Sequence, residues 1–148
     1  RDERLEKAIE LGATDTINAS RVDSVAGIRQ LIGREGVQYA FEAIGSPETI
    51  AQAFAATGRG GTTVVVGVTA TDAVAEIPTR YFLQEKALLG SYYGSGTPRE
   101  DISRLLALYE RGGLKLAPLI SHRWRLEEIN EAFRALERGE GTRSIIIF

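Results

Sequence analysis

Apolar residues recur along the first half of the chain with two alternating periods. Helical spacing and short extended apolar runs follow each other in the order helix, strand, helix, strand, helix, strand. The helical segments are Glu3–Leu11, Val22–Ile32 and the stretch from Ser46 to about Thr57, and the extended ones are Asp15–Asn18, Val37–Ile44 and Thr62–Val68. This order predicts an α/β fold with a parallel sheet, helices on its faces and right-handed crossovers.

The strongest strand signal is TTVVVGV at residues 62–68. It is β-branched and continuously apolar rather than alternating, which is typical of a strand covered on both faces. Before it, Ser46 and Pro47 predict a helix start, because serine accepts hydrogen bonds from free amides and proline suits the first helical position. The GRGG sequence at 58–61 predicts a turn into the strand.

The second half of the chain predicts further elements in a less regular order. Strands are predicted over Ala87–Tyr93, Leu119–Trp124 and residues 143–148, and helices over the stretches from Thr97 to Gly112 and from Leu126 to about Leu136. The first of these helices opens on a capping box, in which Thr97 and Glu100 satisfy free amides reciprocally. In the second, Leu126, Ile129, Phe133 and Leu136 share one face. We expect this face to point inward, and we expect Trp124 in the core.

Composition and charge exclude several classes of function. The chain has 148 residues, of which 43% are hydrophobic and 26% charged, as in a globular domain. A net charge of −2 argues against nucleic acid or an anionic membrane as a partner, and no apolar run approaches the roughly 20 residues that span a bilayer. Without cysteine, and with His122 as the one histidine, the sequence offers no zinc site of its own. We expect a cytoplasmic protein in which His122 packs or faces solvent.

Two predicted strands end in a glycine-containing segment, Ala43-Ile44-Gly45 and Val66-Gly67-Val68. In open parallel sheets, ligands bind outside the carboxyl ends of the strands, and glycine lets a ligand approach the backbone closely. A simple turn also explains either glycine taken alone. The phosphate-binding pattern G-x-G-x-x-G is absent from the sequence. Residues 94–97 are better explained by a capped turn than by an anion-binding site. The residues themselves therefore predict a parallel α/β domain with a nucleotide-sized ligand.

Seven segments carry a more specific resemblance, and they occur in the order LGATDTINA, FEAIGSPETI, VVVGV, GSYYG, PLISHRW, LEEINEAF and GEGTRSIIIF. In this order and spacing, the chain resembles the zinc-dependent medium-chain alcohol dehydrogenases over essentially its whole length. The resemblance implies an oxidoreductase that transfers a hydride between an alcohol, aldehyde or ketone and a nicotinamide cofactor. NAD is the expected cofactor, and NADP stays open.

The resemblance also implies that this chain is part of a longer enzyme. Residues 1–93 match an incomplete Rossmann-type dinucleotide-binding domain that lacks its first two strands, and residues 94–148 match a C-terminal segment that returns to the catalytic domain. The zinc ligands and the phosphate loop of the intact enzyme would lie in the remaining part. We therefore expect the chain alone to be inactive, with no catalytic or metal-binding residue of its own.

Coenzyme contacts are implied at two kinds of position, basic side chains and strand ends. The basic side chains are Arg4, beside the adenosine ribose, and Arg143, at the pyrophosphate, for which a guanidinium is well suited. The strand ends are Ala43, Ile44 and Gly45 along the dinucleotide, Val66, Gly67 and Val68 at the nicotinamide ring, and Ser91, Tyr92 and Tyr93 in the next segment. The middle side chain of that last segment can also face the substrate.

Two alternatives to this interpretation stay open. One is a zinc-free quinone or enoyl reductase of the same superfamily, although GSYYGSGTPRED and PLISHRW favour the zinc branch. The other is a truncated, non-catalytic module that self-associates through its sheet edge. Members of the family pair through the strand equivalent to Ala87–Ser91, and an unpaired strand there would itself promote association. The resemblance therefore implies a homodimer formed through that edge strand.

Overall fold

The structure is a computed structural model that describes residues 1–33 and 35–148. Its α-helices are α1 (Asp2–Glu10), α2 (Ser24–Ile32), α3 (Pro47–Ala56), α4 (Pro98–Glu110) and α5 (Ile129–Glu137). Its strands are β1 (Val37–Glu42), β2 (Thr57–Val65), β3 (Ala87–Gly90), β4 (Ile120–Arg125) and β5 (Arg143–Ile147). Short 3₁₀ helices occupy Thr79–Gln84, Tyr93–Ser95, Ala117–Leu119 and Leu126–Glu128. The chain forms two compact units, one of Ala19–Pro98 and the other of Arg1–Asn18 with Arg99–Phe148.

The unit Ala19–Pro98 is built on a parallel sheet in the order β1-β2-β3. Residues Glu42, Val65 and Gly90 lie in one row across it, because Glu42 pairs with Val65 and Val65 with Gly90. Parallel strands need a crossover connection, and α3 supplies the one between β1 and β2. The predicted α/β architecture, with parallel strands and flanking helices, is confirmed.

Phe54 of α3 lies at the centre of this unit, with 0% of its surface exposed. The ring centre of Tyr81 lies 6.1 Å from that of Phe54, and the ring centre of Phe82 lies 5.2 Å away. The hydroxyl oxygens of Thr57 and Thr63, both buried, lie 2.6 Å apart and satisfy each other. Because burying an aromatic side chain contributes about 1.5–3 kcal/mol, Phe54 is a main attachment of α3 to the 3₁₀ helix Thr79–Gln84.

The other unit contains the parallel pair β4-β5, joined by α5. This helix buries the small residues Ala132 and Ala135. Trp124 of β4 donates a hydrogen bond through Nε1 to Ser144 Oγ of β5 at 3.3 Å. The pair is thus a second, smaller strand-helix-strand arrangement in which alanines form the buried face of the helix.

Some of the predicted strands are wrong. Asp15–Asn18 forms no strand, because a strand requires backbone pairing within a sheet, and this segment belongs to neither of the two described sheets. β1 ends at Glu42 and β3 at Gly90, each before its predicted end. The strand predicted over Thr62–Val68 instead runs over Thr57–Val65. The GRGG sequence that was predicted as a turn lies inside this strand. There the pairing with β1 is irregular, because Val37 pairs with Thr57 whereas Tyr39 pairs with Thr62.

The prediction that the apolar face of the last helix points inward is also wrong. Leu126, Phe133 and Leu136 are exposed, and Trp124 is half-buried rather than fully buried. Helical spacing identifies residues that share a face, but whether that face is covered depends on neighbouring elements. In this unit the described neighbours cover the alanines only.

The helices are short, and the longest described one, α4, has 13 residues. Across residues 1–33 and 35–148, no helix has the length and apolar character needed to cross a membrane.

Candidate functional site

The carboxyl ends of β1, β2 and β3 lie side by side at one edge of the sheet, because the three strands are parallel and end in one row. The segments that directly follow are residues 43–45, 66–68 and 91–93. The amide of Ser91 donates to the carbonyl of Val65 at 2.9 Å, which ties the third segment to the second strand. The structure thus brings together, at one edge, every strand-end residue that the sequence predicts as a coenzyme contact.

The turn after β1 is built from local hydrogen bonds. Ser46 Oγ accepts from the amide of Thr49 at 3.2 Å, and Pro47 occupies the first turn of α3. The predicted serine cap and proline start are confirmed. Four residues, Ala43 to the capping Ser46, therefore form the whole connection between the strand and the helix.

Gly45 and Gly67 are required by the contact between the first two strand ends. A Cβ on Gly45 would overlap the carbonyl of Val68, and a Cβ on Gly67 would overlap the amide nitrogen of Gly45. Gly45 also has φ = 85°, which favours glycine. The sequence suggested that these glycines leave room for a ligand, whereas the structure shows two chain segments filling that space.

The segment after β3 has an unusual backbone. Tyr93 and Ser95 have positive φ values of 49° and 55°, on either side of Gly94. Such values are uncommon for residues other than glycine. The rings of Tyr92 and Tyr93 are 4.7 Å apart and nearly perpendicular, and both side chains are exposed. The tyrosines therefore do not pack into the sheet, and they stand at its edge.

The surface formed by the three segments is apolar. Ile44, Val68 and Tyr92 have 74%, 88% and 81% of their surfaces exposed. No charged side chain occurs in residues 43–45, 66–68 or 91–93. Ligand sites are mostly apolar with a few polar groups, and this edge has that apolar character. It does not supply a cation for the phosphates.

The predicted cationic contacts Arg4 and Arg143 lie in the other compact unit. Arg4 donates through Nη2 to the carbonyl of Gly139 at 2.9 Å and through Nε to that of Gly141 at 3.2 Å. Arg1 donates to the carbonyls of Arg138 and Gly139. The two guanidinium groups therefore bind the carbonyls that follow α5, where free carbonyl groups favour cations.

Arg143 begins β5, and its side chain is exposed. Its backbone is fixed by Ser121, whose Oγ accepts from the Arg143 amide at 3.2 Å and donates to its carbonyl at 3.1 Å. Near these residues is a cavity of about 160 Å³ lined by Arg1, Arg4, Lys7 and Ser121 among others. Three cationic side chains and the carboxylate of Glu3 thus lie close to the start of β5.

Glu42, the last residue of β1, was not predicted as a site residue. Its surface is only 4% exposed, and its Oε1 accepts from the amides of Ile44 and Gly45 and from Thr49 Oγ1, each at 2.8 Å. Burial opposes ionisation, but the hydrogen bonds from Gly45, Thr49 and Ile44 outweigh it, so the pKa of Glu42 is lowered from its ordinary value. The available signal was an acidic residue inside the apolar run AFEAIG.

The described residues offer no metal centre. In residues 1–33 and 35–148, no group of three or more His, Cys, Asp or Glu side chains is arranged to hold a metal ion. His122 stacks on Trp124, with ring centres 5.7 Å apart, and is half-buried. His122 is therefore a packing residue here.

Known proteins match the chain in both sequence and structure. A family model described as zinc-binding dehydrogenase matches residues 1–111. The NDMA-dependent alcohol dehydrogenase of Amycolatopsis methanolica is 35% identical over 96% of this chain and 39% of its own length. An alcohol dehydrogenase of Malus domestica is 34% identical over 97% of this chain and 38% of its own length.

Two solved structures superpose closely. Benzyl alcohol dehydrogenase from Acinetobacter calcoaceticus gives a TM-score of 0.88 at 35% identity, over 99% of this chain and 40% of that one. An alcohol dehydrogenase zinc-binding domain protein from Burkholderia ambifaria gives 0.87 at 33% identity, over 99% and 39%. The chain thus spans about two-fifths of the length of these relatives. It belongs to the zinc-binding dehydrogenase family, and its resemblance to the zinc-dependent medium-chain alcohol dehydrogenases is confirmed.

Proposed function

We propose that this chain forms one side of the coenzyme cleft of an alcohol dehydrogenase that uses NAD. The observation that carries the proposal is the row of three parallel strand ends, which presents an uncharged, largely apolar edge. Open α/β sheets bind nucleotides at this kind of edge. The relatives named above are alcohol dehydrogenases, and this favours an alcohol dehydrogenase over a zinc-free reductase.

In this proposal each strand end has a separate role. Residues 43–45 lie along the dinucleotide with the Ile44 side chain toward it, and residues 66–68 lie against the nicotinamide ring. Residues 91–93 extend the same surface, and Tyr92 faces the substrate. When bound, the nicotinamide ring gives or accepts the hydride. The chain's own part is to fix one face of that ring and to exclude water from it.

The phosphates and the adenosine ribose are assigned to the two arginines. Arg143, whose side chain is exposed, would bind the pyrophosphate, since guanidinium groups bind phosphate oxygens in a bidentate manner. Arg4 would lie beside the ribose, in exchange for its hydrogen bonds to the carbonyls of Gly139 and Gly141. The division into a dinucleotide-binding part, residues 1–93, and a segment of the catalytic domain, residues 94–148, stays a prediction. NADP remains the alternative cofactor.

Zinc does not fit the residues of this chain. The sequence contains no cysteine, and the described residues form no metal-binding group. We therefore assign no step to zinc here, and we propose that the ligands of a catalytic zinc belong to the part of the relatives that this chain does not span.

A titration of the ¹⁵N-labelled chain with NAD⁺ tests the proposal. Amide shifts should change in residues 43–45, 66–68 and 91–93, and the same titration with NADP⁺ tests the choice of cofactor. Val74, an exposed valine outside these segments, is the internal control. If NAD⁺ at millimolar concentration leaves these amides unchanged, the chain does not bind the coenzyme and the proposal is wrong.

A second candidate function is self-association through β3. This strand is at the edge of the sheet, next to β2 only, and an exposed strand edge is a template for pairing. Homodimerisation through Ala87–Ser91 would extend the sheet across two copies. Sizing chromatography of wild type and of Leu88→Pro, which removes a backbone donor on this strand, tests this. A dimer that persists in a folded Leu88→Pro variant would place the interface elsewhere.

A further inference from the structure

We infer that Glu42 is a positioning residue that holds the first two strand ends in their coenzyme-binding arrangement. The inference rests on the proposed function. It follows from the hydrogen bonds that this single residue makes at the carboxyl edge of the sheet, through both its side chain and its main chain.

The side chain of Glu42 shapes the first strand end. Three donors converge on its Oε1 at 2.8 Å, two from the backbone of Ile44 and Gly45 and one from the hydroxyl of Thr49 on α3. Hydrogen bonds to an ionised acceptor are roughly twice as strong as neutral ones. The carboxylate thus fixes the turn after β1 to the start of the following helix.

The main chain of Glu42 fixes the second strand end. Its carbonyl oxygen accepts from the amide of Val66 at 2.8 Å and from that of Gly67 at 3.0 Å. Both predicted coenzyme-contacting segments are therefore bound to one residue. A shift of Glu42 would move the two segments together.

These contacts also determine which part of a dinucleotide fits here. The amides of Ile44, Gly45, Val66 and Gly67 all donate to Glu42. Because these donors point into the protein, they are not available to phosphate oxygens. What the edge offers outward is the aliphatic side chains, so it suits the rings and riboses of the ligand rather than its phosphates.

The burial of Glu42 is energetically costly. Its Oε2 is buried and has no hydrogen-bond partner in the part of the chain that the structure describes. Buried polar atoms without partners are rare in native proteins and carry a desolvation cost. The three donors that converge on Oε1 offset this cost, so the position of the carboxylate is tied to that of the first strand end.

The experiment compares Glu42→Gln with Glu48→Gln. Glutamine at 42 keeps the shape and removes the charge, whereas Glu48 is an exposed carboxylate on α3 whose Oε1 accepts a hydrogen bond from Gln52. In Glu42→Gln the amide protons of Ile44 and Gly45 should move upfield, because their acceptor is no longer ionised. The affinity of the folded protein for NAD⁺ should fall by about tenfold, as expected for loss of charge assistance. Glu48→Gln should change neither quantity.

The outcomes separate the inference from the proposed function. If wild type does not respond to NAD⁺, the proposed function is wrong, and this inference falls with it. If wild type binds and a folded Glu42→Gln binds equally well, the inference alone is overturned. A Glu42→Gln variant that does not fold is replaced by Thr49→Val, which removes one of the three donors, with Thr49→Ser as the variant that restores it. Unequal NAD⁺ affinity of this pair supports the inference, and equal affinity overturns it.

Discussion

The ammonium group of Lys86 lies 3.2 Å from the carbonyl oxygen of Phe54 and donates a hydrogen bond to it. The same Nζ lies 4.5 Å from the ring centre of Tyr81, within the range of a cation–π interaction. Two neighbouring carbonyls at the end of α3 are also bound by side chains, that of Ala53 by Thr57 and that of Ala55 by Arg29. Three side chains thus cap the carboxyl end of α3, where backbone carbonyls lack helical partners.

Lys86 should make the stability of the protein depend on pH in the alkaline range. Burial and, to a smaller extent, the charge of Arg29 lower the pKa of Lys86 below its ordinary value of 10.5. Between the lowered pKa and 10.5, the unfolded chain binds more protons than the folded one, so this group adds stability as pH rises. We expect the free energy of unfolding of wild type relative to Lys86→Met to increase with pH across that window.

Urea unfolding at several pH values up to 10.5 measures this effect. Lys115→Met, at an exposed lysine, is the matched control for replacing a lysine by methionine. A constant difference between wild type and Lys86→Met at all pH values would contradict the prediction.

Phe54 and Phe133 should differ strongly in their effect on stability. Phe54 is fully buried, whereas Phe133 is exposed. Replacing a buried phenylalanine by alanine removes its transfer free energy and leaves a cavity, so Phe54→Ala should cost about 3–5 kcal/mol. Phe133→Ala should change the free energy of unfolding by less than about 0.5 kcal/mol. Equal losses in urea unfolding would mean that Phe133 is covered in solution, for example by a second copy of the chain.

Local sequence signals predicted the parts of the fold that depend on local physics. Ser46 and Pro47 start α3 as expected, because capping needs only the neighbouring amides. The grouping of the strand ends followed from the alternation of helices and strands. By contrast, Asp15–Asn18 and Phe133 were mispredicted, because strand pairing and the covering of a helix face depend on elements distant in sequence. The role of Glu42 was missed because two of its three partners are backbone amides, which leave no mark in the sequence beyond the acidic residue inside AFEAIG.

Gly45→Ala should destabilise the protein more than Gly33→Ala. Both glycines have positive φ, 85° and 87°, which disfavours alanine at either position, and Gly33 also has ψ = 175°, a combination that costs other residues about 1–3 kcal/mol. A Cβ at Gly33 would meet no atom within 4 Å, whereas one at Gly45 would overlap Val68. Thermal unfolding should show a lower Tm for Gly45→Ala than for Gly33→Ala. Equal Tm values would show that the two strand ends separate at little cost.

Val68 and Val74 test whether the exposed apolar edge binds ligand. Both valines are exposed, at 88% and 76%, but only Val68 lies at a strand end. If the nicotinamide ring covers Val68, Val68→Ser removes apolar contact area, at about 0.8 kcal/mol for each buried methylene equivalent. We expect the NAD⁺ affinity to fall severalfold in Val68→Ser and to stay unchanged in Val74→Ser.

Surface substitutions of this kind change stability by less than about 0.5 kcal/mol, so a change in affinity reports on binding. If the two variants bind NAD⁺ as tightly as wild type, the coenzyme does not lie on residues 66–68, and the assignment of the nicotinamide ring to that strand end is wrong.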